Sequence, residues 1–393
     1  MHSLPILDRL IRLYSNQFDE PAWIVRAPGR INFLGEHTDY NLGYVMPAAI
    51  DKAIYLAIGG RNDARIELVS ADFNETYSGH IDELNPTKQG WPNYILGIVD
   101  QFRQQQLFPG GFNAVIISDL PVGAGLSSSA AIECAGLLAL NQLFNFQMST
   151  LTMVKMAQAA ENTFIGLQCG IMDPFASMMG KQDELIRLNC FDLSYTYLPF
   201  HFPQIDIVLL DTGVKHSLAT SEYNQRREAC EEGLHRIQQA YPAVRYLSEA
   251  SQHQVDECLS SDATIYKKCT YVVQENDRLQ QATEDLLNQN LTGFGKKMYA
   301  THAGLRDLYA VSCLEADFLV EMAEKSGKVL GARMMGGGFG GCTLNLIQSS
   351  ETEAFLFTAT QQYQERFQRN LVFHSVRLSG GASVIKGWKG SLQ

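Results

Sequence analysis

Apolar residues recur at helical spacing over residues 3–18, where Leu4, Leu7, Leu10, Ile11 and Leu13 form one stripe, and this predicts an amphipathic helix. The pattern then shortens. Runs at 22–26, 53–58 and 66–70 read as strands, and 114–118 reads as another that leads into a Gly/Ser-rich turn at 119–129. Helical patterns follow at 130–144 and 150–167. Beyond Lys181 the texture changes. Residues 205–211 form a strongly apolar strand, 217–240 a charge-rich helix, and polar helices fill 262–288 and 310–326. A strand-like run at 343–348 follows a second glycine cluster, and one or two closing strands are expected after Asn370. The mixture predicts an α/β or α+β fold rather than an all-helical one. At 393 residues the chain exceeds one ordinary core, so two domains are expected, drawn at 1–185 and 186–393 with the boundary near 180–200.

Composition narrows the function class. Hydrophobic content of 46% with 19% charged residues is that of a globular protein. A net charge of −11 argues against a broad nucleic-acid footprint, although a few local donors can still hold phosphates. The eight cysteines lie scattered without a CxxC pair or metal-ligand spacing, and read as reduced thiols. Charges at Asp8, Arg9 and Arg12 interrupt the N-terminal apolar residues, so no signal-peptide core is expected there. With no run of about 18 apolar residues, a cytoplasmic location is the expectation.

Three segments carry chemistry. The first is Leu120-Pro121-Val122-Gly123-Ala124-Gly125-Leu126-Ser127-Ser128-Ser129-Ala130-Ala131. Its glycines permit a tight turn and close approach to a ligand, and the serines open a helix whose free N–H groups favour an anion. For the GxG-S pattern alone, a glycine turn with a serine cap is sufficient explanation. The second is Gly336-Gly337-Gly338-Phe339-Gly340-Gly341. It satisfies GxGxxG formally but runs into an alternating strand pattern instead of a helix, so a dinucleotide fingerprint is rejected. The third, 26–40, packs Arg30, Glu36, His37, Asp39 and Tyr40 between glycines. Carboxylates and an imidazole suit several sugar hydroxyls, and an arginine suits phosphate charge; for each residue alone a solvated turn explains as much.

In combination these segments resemble the family of galactokinases, homoserine kinases, mevalonate kinases and phosphomevalonate kinases, in its galactokinase branch. The run 123–131 is similar to the family's phosphate loop, 335–341 to its C-terminal glycine motif, and 30–40 to the galactokinase signature. Blocks at 91–97, 214–227 and 298–313 add to the match. The resemblance implies two α/β domains with the active site in the cleft between them. It implies transfer of the γ-phosphate of ATP to the C1 hydroxyl of galactose, with Mg²⁺; a monomer is expected, and from charge and hydropathy no nucleic-acid or membrane partner. By the same resemblance, Asp173 in Cys169-Gly170-Ile171-Met172-Asp173 is the base and Arg30 the charge stabiliser. Glu36, His37, Thr38, Asp39, Gly170 and Tyr223 face the sugar. Gly123, Ala124, Gly125, Leu126, Ser127, Ser128, Ser129 and Trp91 bind ATP, and Ser129 and Glu161 hold the metal. Pro174 departs from the branch, which usually has glutamine there; proline fits the first turn of a helix. Two alternatives remain: a kinase for N-acetylgalactosamine, arabinose or galacturonate, and a non-catalytic galactose sensor.

Overall fold

The computed structural model describes residues 5–121, 123–214 and 219–387, so Ser3, Leu4, Val122 and Lys215–Leu218 of the segments above lie outside the described residues. Helix α1 (Ile6–Ser15) is followed by strands β1 (Trp23–Asn32), β2 (Tyr44–Val45), β3 (Pro47–Gly60), β4 (Arg65–Ser70) and β5 (Glu75–His80). Helix α2 (Pro92–Gln104) opens on Pro92, where a missing N–H costs nothing, and β6 (Phe112–Ser118) comes next. Helices α3 (Ser128–Leu143) and α4 (Thr150–Ala160) follow, the latter running into a π-helical turn, Glu161–Ile165, before α5 (Met172–Met179). Strands β7 (Glu184–Asn189), β8 (Tyr195–Pro199) and β9 (Ile205–Asp211) precede α6 (Ala219–Ala240), α7 (Gln252–Leu259), α8 (Ala263–Leu287) and α9 (Leu291–Gly304). A second π-helical turn, Leu305–Tyr309, extends α9. The chain closes with α10 (Leu314–Ser326), β10 (Val329–Met334), β11 (Cys342–Gln348), α11 (Thr352–Phe367), β12 (Val372–Val376) and β13 (Ser383–Gly387).

The strands form a six-stranded sheet, β13-β1-β3-β6-β4-β5, a four-stranded sheet, β10-β11-β9-β12, and a small sheet, β2-β7-β8. The large sheet is antiparallel except where β4 runs parallel to β6. Both of its faces are covered, so its central strands are apolar on alternate residues of each face. Ile24, Ala57, Val115 and Ile117 pack with Leu10 and Tyr14 of α1 on one side. Val25, Leu56, Ala114 and Ile116 join the main core on the other, with α3. Helix α3 is buried almost all round, as its alanine- and leucine-rich sequence permits. Helices α10 and α11 cover the four-stranded sheet through Leu319, Val320, Phe355 and Tyr363. Three strands complicate a cut at residue 185. Strand β7 spans that position and pairs back to β2, β8 pairs with β7 beyond it, and β13 returns to the edge of the first sheet beside β1. Among the described residues no helix is long and apolar enough to cross a membrane.

Candidate active site

The turn between β6 and α3 brings the serine run to the ends of β1 and α5. Gly123 and Gly125 have φ of 81° and 72°, conformations that a side chain disfavours. Ser127 also adopts a left-handed backbone, φ 56°, and its side chain does not cap α3. Its hydroxyl turns to Asp173 and donates a short hydrogen bond to Oδ2. Arg30 leaves β1 at a bulge and forks onto the same carboxylate, Nε to Oδ1 at 2.7 Å and Nη2 to Oδ2 at 3.0 Å. Its remaining nitrogen donates to the Gly125 carbonyl at 2.6 Å. One arginine thus ties the phosphate loop to the first turn of α5, where Asp173 precedes Pro174 as expected. The Ser177 hydroxyl fixes α5 to β1 by donating to the Pro28 carbonyl at 2.7 Å.

The signature segment after β1 is held by residues of the second half of the chain. The Gly35 amide donates to Glu275 Oε1 at 2.8 Å, and Tyr271 donates to the Glu36 carbonyl at 2.9 Å. The Glu36 carboxylate pairs with Arg333 and accepts from the Gly336 amide at 3.0 Å. Arg333 is fully buried, and also donates to the carbonyls of Asn32 and Met334. His37 is buried, and burial with the charges of Arg333, Arg226 and Lys268 lowers its pKa to about 3. Asp39 is pushed up to about 7, first by burial and then by the negative charge of Asp173. It rests against Gly170, where an added Cβ would lie 1.8 Å from its Oδ2. Only glycine leaves room for this carboxylate.

These groups line a cavity of about 290 Å³. Arg30, Glu36, His37, Asp39, Gly170, Asp173 and Tyr223 wall its polar side, and Gly125, Ser127, Ser129, Glu161 and Gly336–Gly338 complete it. A second cavity of about 420 Å³ meets it at Ser129 and is lined by Ser128, Trp91, Tyr94 and the apolar Ile54, Ile116, Leu120 and Ile132. The Trp91 indole donates to Glu75 there at 2.8 Å. Glu161 is buried rather than lying on an exposed helix face. Burial and Asp173 raise its pKa, while hydrogen bonds from Cys169 and Ser129 counter the rise. One turn beyond Ser129, Glu133 is fully buried with neither carboxylate oxygen hydrogen-bonded.

Thr38 lies apart from this group. Its buried hydroxyl faces the carbonyls of Gly35 and Tyr44, both at 2.7 Å, so it shapes the loop and does not line the cavity. Ala124 and Leu126 likewise point into the core, and Gly123 contributes backbone conformation. The residues that the motifs leave out are Arg333, Glu275 and Tyr271. A lone arginine in the otherwise apolar β10, three residues before the glycine run, is the signal that could have found the first.

Comparison with known proteins agrees with this geometry. The family description "GHMP kinases N terminal domain" matches residues 93–181, "GHMP kinases C terminal" matches 282–364, and "Galactokinase galactose-binding signature" matches 12–60. A galactokinase of Roseiflexus sp. (strain RS-1) is 38% identical over 372 residues, covering 93% of each chain. One of Thermotoga maritima is 38% identical over 362 residues, 92% of this chain and 99% of the relative. The crystal structure of Lactococcus lactis galactokinase complexed with galactose superposes with a TM-score of 0.93 at 34% identity, covering 96% of this chain and 100% of that one. Methanococcus jannaschii mevalonate kinase, at 17% identity, TM-score 0.66 and 91% and 98% coverage, shares the fold. With relatives matched over more than nine-tenths of its length, its core motifs in place and both domain models found, the chain belongs to the galactokinase family of the GHMP kinases.

Proposed function

We propose that this protein transfers the γ-phosphate of ATP to the C1 hydroxyl of galactose, giving α-galactose 1-phosphate and ADP. The observation that carries the reading is the Arg30–Asp173 pair in the wall of a small cavity that also holds Glu36, His37 and Asp39 and that meets a larger, mainly apolar cavity at Ser129. Glu36, His37, Asp39, Gly170 and Tyr223 recognise the sugar, while the loop at 123–129 and the Trp91 cavity take the nucleotide. Asp173 accepts the C1 proton, because a sugar hydroxyl is a poor nucleophile until that proton has an acceptor. Oδ2 already accepts from Ser127 and Arg30, whereas Oδ1 accepts from Arg30 alone. The free lone pair is therefore on Oδ1, and the proton goes there. Arg30 opposes the negative charge that spreads over the transferring phosphoryl group.

A divalent cation fits beside this pair. Ser129 and Glu161 offer the hard oxygen donors that Mg²⁺ takes, and both line the cavity beside the Arg30–Asp173 pair. Ser129 and Glu161 would hold the ion, which when bound offsets phosphate charge. The reading includes a monomeric protein of the cytoplasm, built of two lobes. The first comprises the large and small sheets with their helices, the returning β13 included, and the second comprises the four-stranded sheet and α6–α11.

Steady-state kinetics with ATP and a sugar panel test the reading. Galactose should exceed glucose in kcat/KM by about 10⁴–10⁵, since a site that pairs a buried hydroxyl rejects the epimer. N-acetylgalactosamine, arabinose and galacturonate complete the panel. Phosphorus NMR should show coupling to the anomeric proton. A 6-phosphate product, or equal kcat/KM for both hexoses, sinks the assignment.

A further inference from the structure

The block at 298–313 resembles the galactokinase branch, yet no role above draws on its second tyrosine, Tyr309. Tyr309 closes the π-helical turn after α9, and Ala310 behind it takes a left-handed backbone, φ 56°. Cations pin this turn. Lys268 Nζ donates to the carbonyls of Leu308 and Tyr309 at 2.9 and 2.6 Å, and Arg226 donates to those of Tyr309 and Ala310 at 3.3 and 2.9 Å. So fixed, the Tyr309 hydroxyl sits 2.7 Å from the Tyr40 hydroxyl, which sits 2.8 Å from His37 Nδ1. The thiol of Cys230 lies 3.3 Å behind Tyr309. The His37 ring packs among Tyr40, Tyr223 and Tyr309, with centroids 5.8, 5.4 and 4.9 Å away. Its other nitrogen, Nε2, is buried with no hydrogen bond, the backbone of Gly337 lies near enough to the ring to favour its protonated form, and His37 lines the cavity.

Each hydroxyl in this row has a single proton to give, so the row polarises as a unit in one of two directions. An imidazole nitrogen is a far better acceptor than a phenol oxygen or a thiol sulfur. The direction Cys230 to Tyr309 to Tyr40 to Nδ1 puts the strongest acceptor at its end. We propose that Tyr309, acting through Tyr40, is a positioning residue that holds His37 in the tautomer with its proton on Nε2, aimed as a donor at a hydroxyl oxygen of the sugar. The inference rests on the placement of His37 against the sugar given above. Burial and the surrounding cations keep this imidazole neutral at working pH, so the tautomer, not the charge, is what the row controls. The row crosses from the signature segment to α9 and α6, which gives the second half of the chain a part in reading the sugar.

The test is Tyr309→Phe, which keeps the ring packing and removes one hydroxyl, with a melting curve to confirm folding. Nitrogen-15 NMR of histidine-labelled, sugar-free protein should show His37 protonated on Nε2 in the parent and a mixed population in the variant. Galactose KM should rise about tenfold, the effect of losing one well-placed hydrogen bond, with kcat and the ATP KM within about twofold. Tyr40→Phe should do the same. A parent His37 protonated on Nδ1, or a variant with unchanged tautomer and unchanged KM, overturns the proposal. If the tautomer shifts in the variant but galactose neither moves the His37 resonances nor changes in KM, the sugar placement of His37 is what has failed, and the proposal falls with it.

Discussion

Gly170→Ala tests the sugar wall through one methyl group. The added Cβ would stand 1.8 Å from Asp39 Oδ2 and 2.2 Å from its Cγ. An ordinary contact is about 3.4 Å, so one partner has to move by roughly 1.6 Å. Asp39 is buried and opens a short helical turn whose backbone is bonded to Thr38, so the side chain yields before the loop does. A misplacement of about 1 Å in a positioned group can cost 10²-fold, and kcat/KM for galactose should fall by at least that much. The ATP KM and the melting temperature should change little, because the clash is with the far end of a side chain at a cavity wall. A double-mutant cycle separates this account from general damage. In an Asp39→Ala background the atoms at 1.8 and 2.2 Å are gone, and the tight approach at 2.9 Å to the Cβ of residue 39 is left to be relieved by a shift of a few tenths of an ångström. There the glycine substitution should cost less than about threefold. Full activity in the single variant, or additive losses in the double, refutes the reasoning.

Asp173→Asn should lower kcat by about 10²–10⁴ while sugar and nucleotide dissociation constants stay within a few-fold, and a variant keeping more than about a tenth of kcat shows the base to lie elsewhere. Asp39 supplies a pH signature. Its folded pKa of about 7 lies above the ordinary 3.8, so the native state holds this proton after the unfolded chain has lost it. The stability that its neutral form provides is present in acid and is lost as pH rises from about 4 to about 7. Asp39→Asn should therefore raise the melting temperature relative to the parent more at pH 8 than at pH 4.5, while weakening galactose binding; a pH-independent difference contradicts the raised pKa.

Much of the site is legible in the sequence because its chemistry needs particular backbones. The glycines at 123, 125 and 170 and the serines that follow the first two are demanded by left-handed turns and close approaches, and such demands leave local marks. What holds the site from behind leaves fewer. Glu36 reads as a sugar ligand, yet one of its oxygens is committed to Arg333, some 300 residues along the chain, and nothing local announces the pair. Thr38 shares the motif but serves the loop. Among the elements, α9 escapes a propensity reading because Gly293, Gly295 and Gly304 dilute its pattern. Gly295 is there for packing, since a Cβ would stand 2.0 Å from the Leu330 carbonyl of β10. Strand β5, polar and largely exposed, offers no apolar alternation to detect, and α5 is too short to show a period. Closing strands after Asn370 are predictable; the partner of the last one is not, because pairing across the chain carries no local signature.

That last pairing has a consequence for how the protein is made. Strand β1, which carries Arg30, finds its outer neighbour at Ser383–Gly387, with Trp23 opposite Gly387 and Arg26 opposite Ser383. The approach to that strand is stitched down as well, through Arg26 to Ser379 and Gly380 and through the Gly381 and Ala382 amides to Gly180 and Ser177. During translation at about 5–20 residues per second, the edge of β1 waits on the order of 20–70 s for its neighbour to leave the ribosome. An apolar strand edge left open that long is a template for another chain. A nascent polypeptide stalled or clipped before residue 383 would keep every motif of the site and still lack the border of the sheet that aims Arg30. Synthesis of this protein thus has a vulnerable interval that ends only with its final strand.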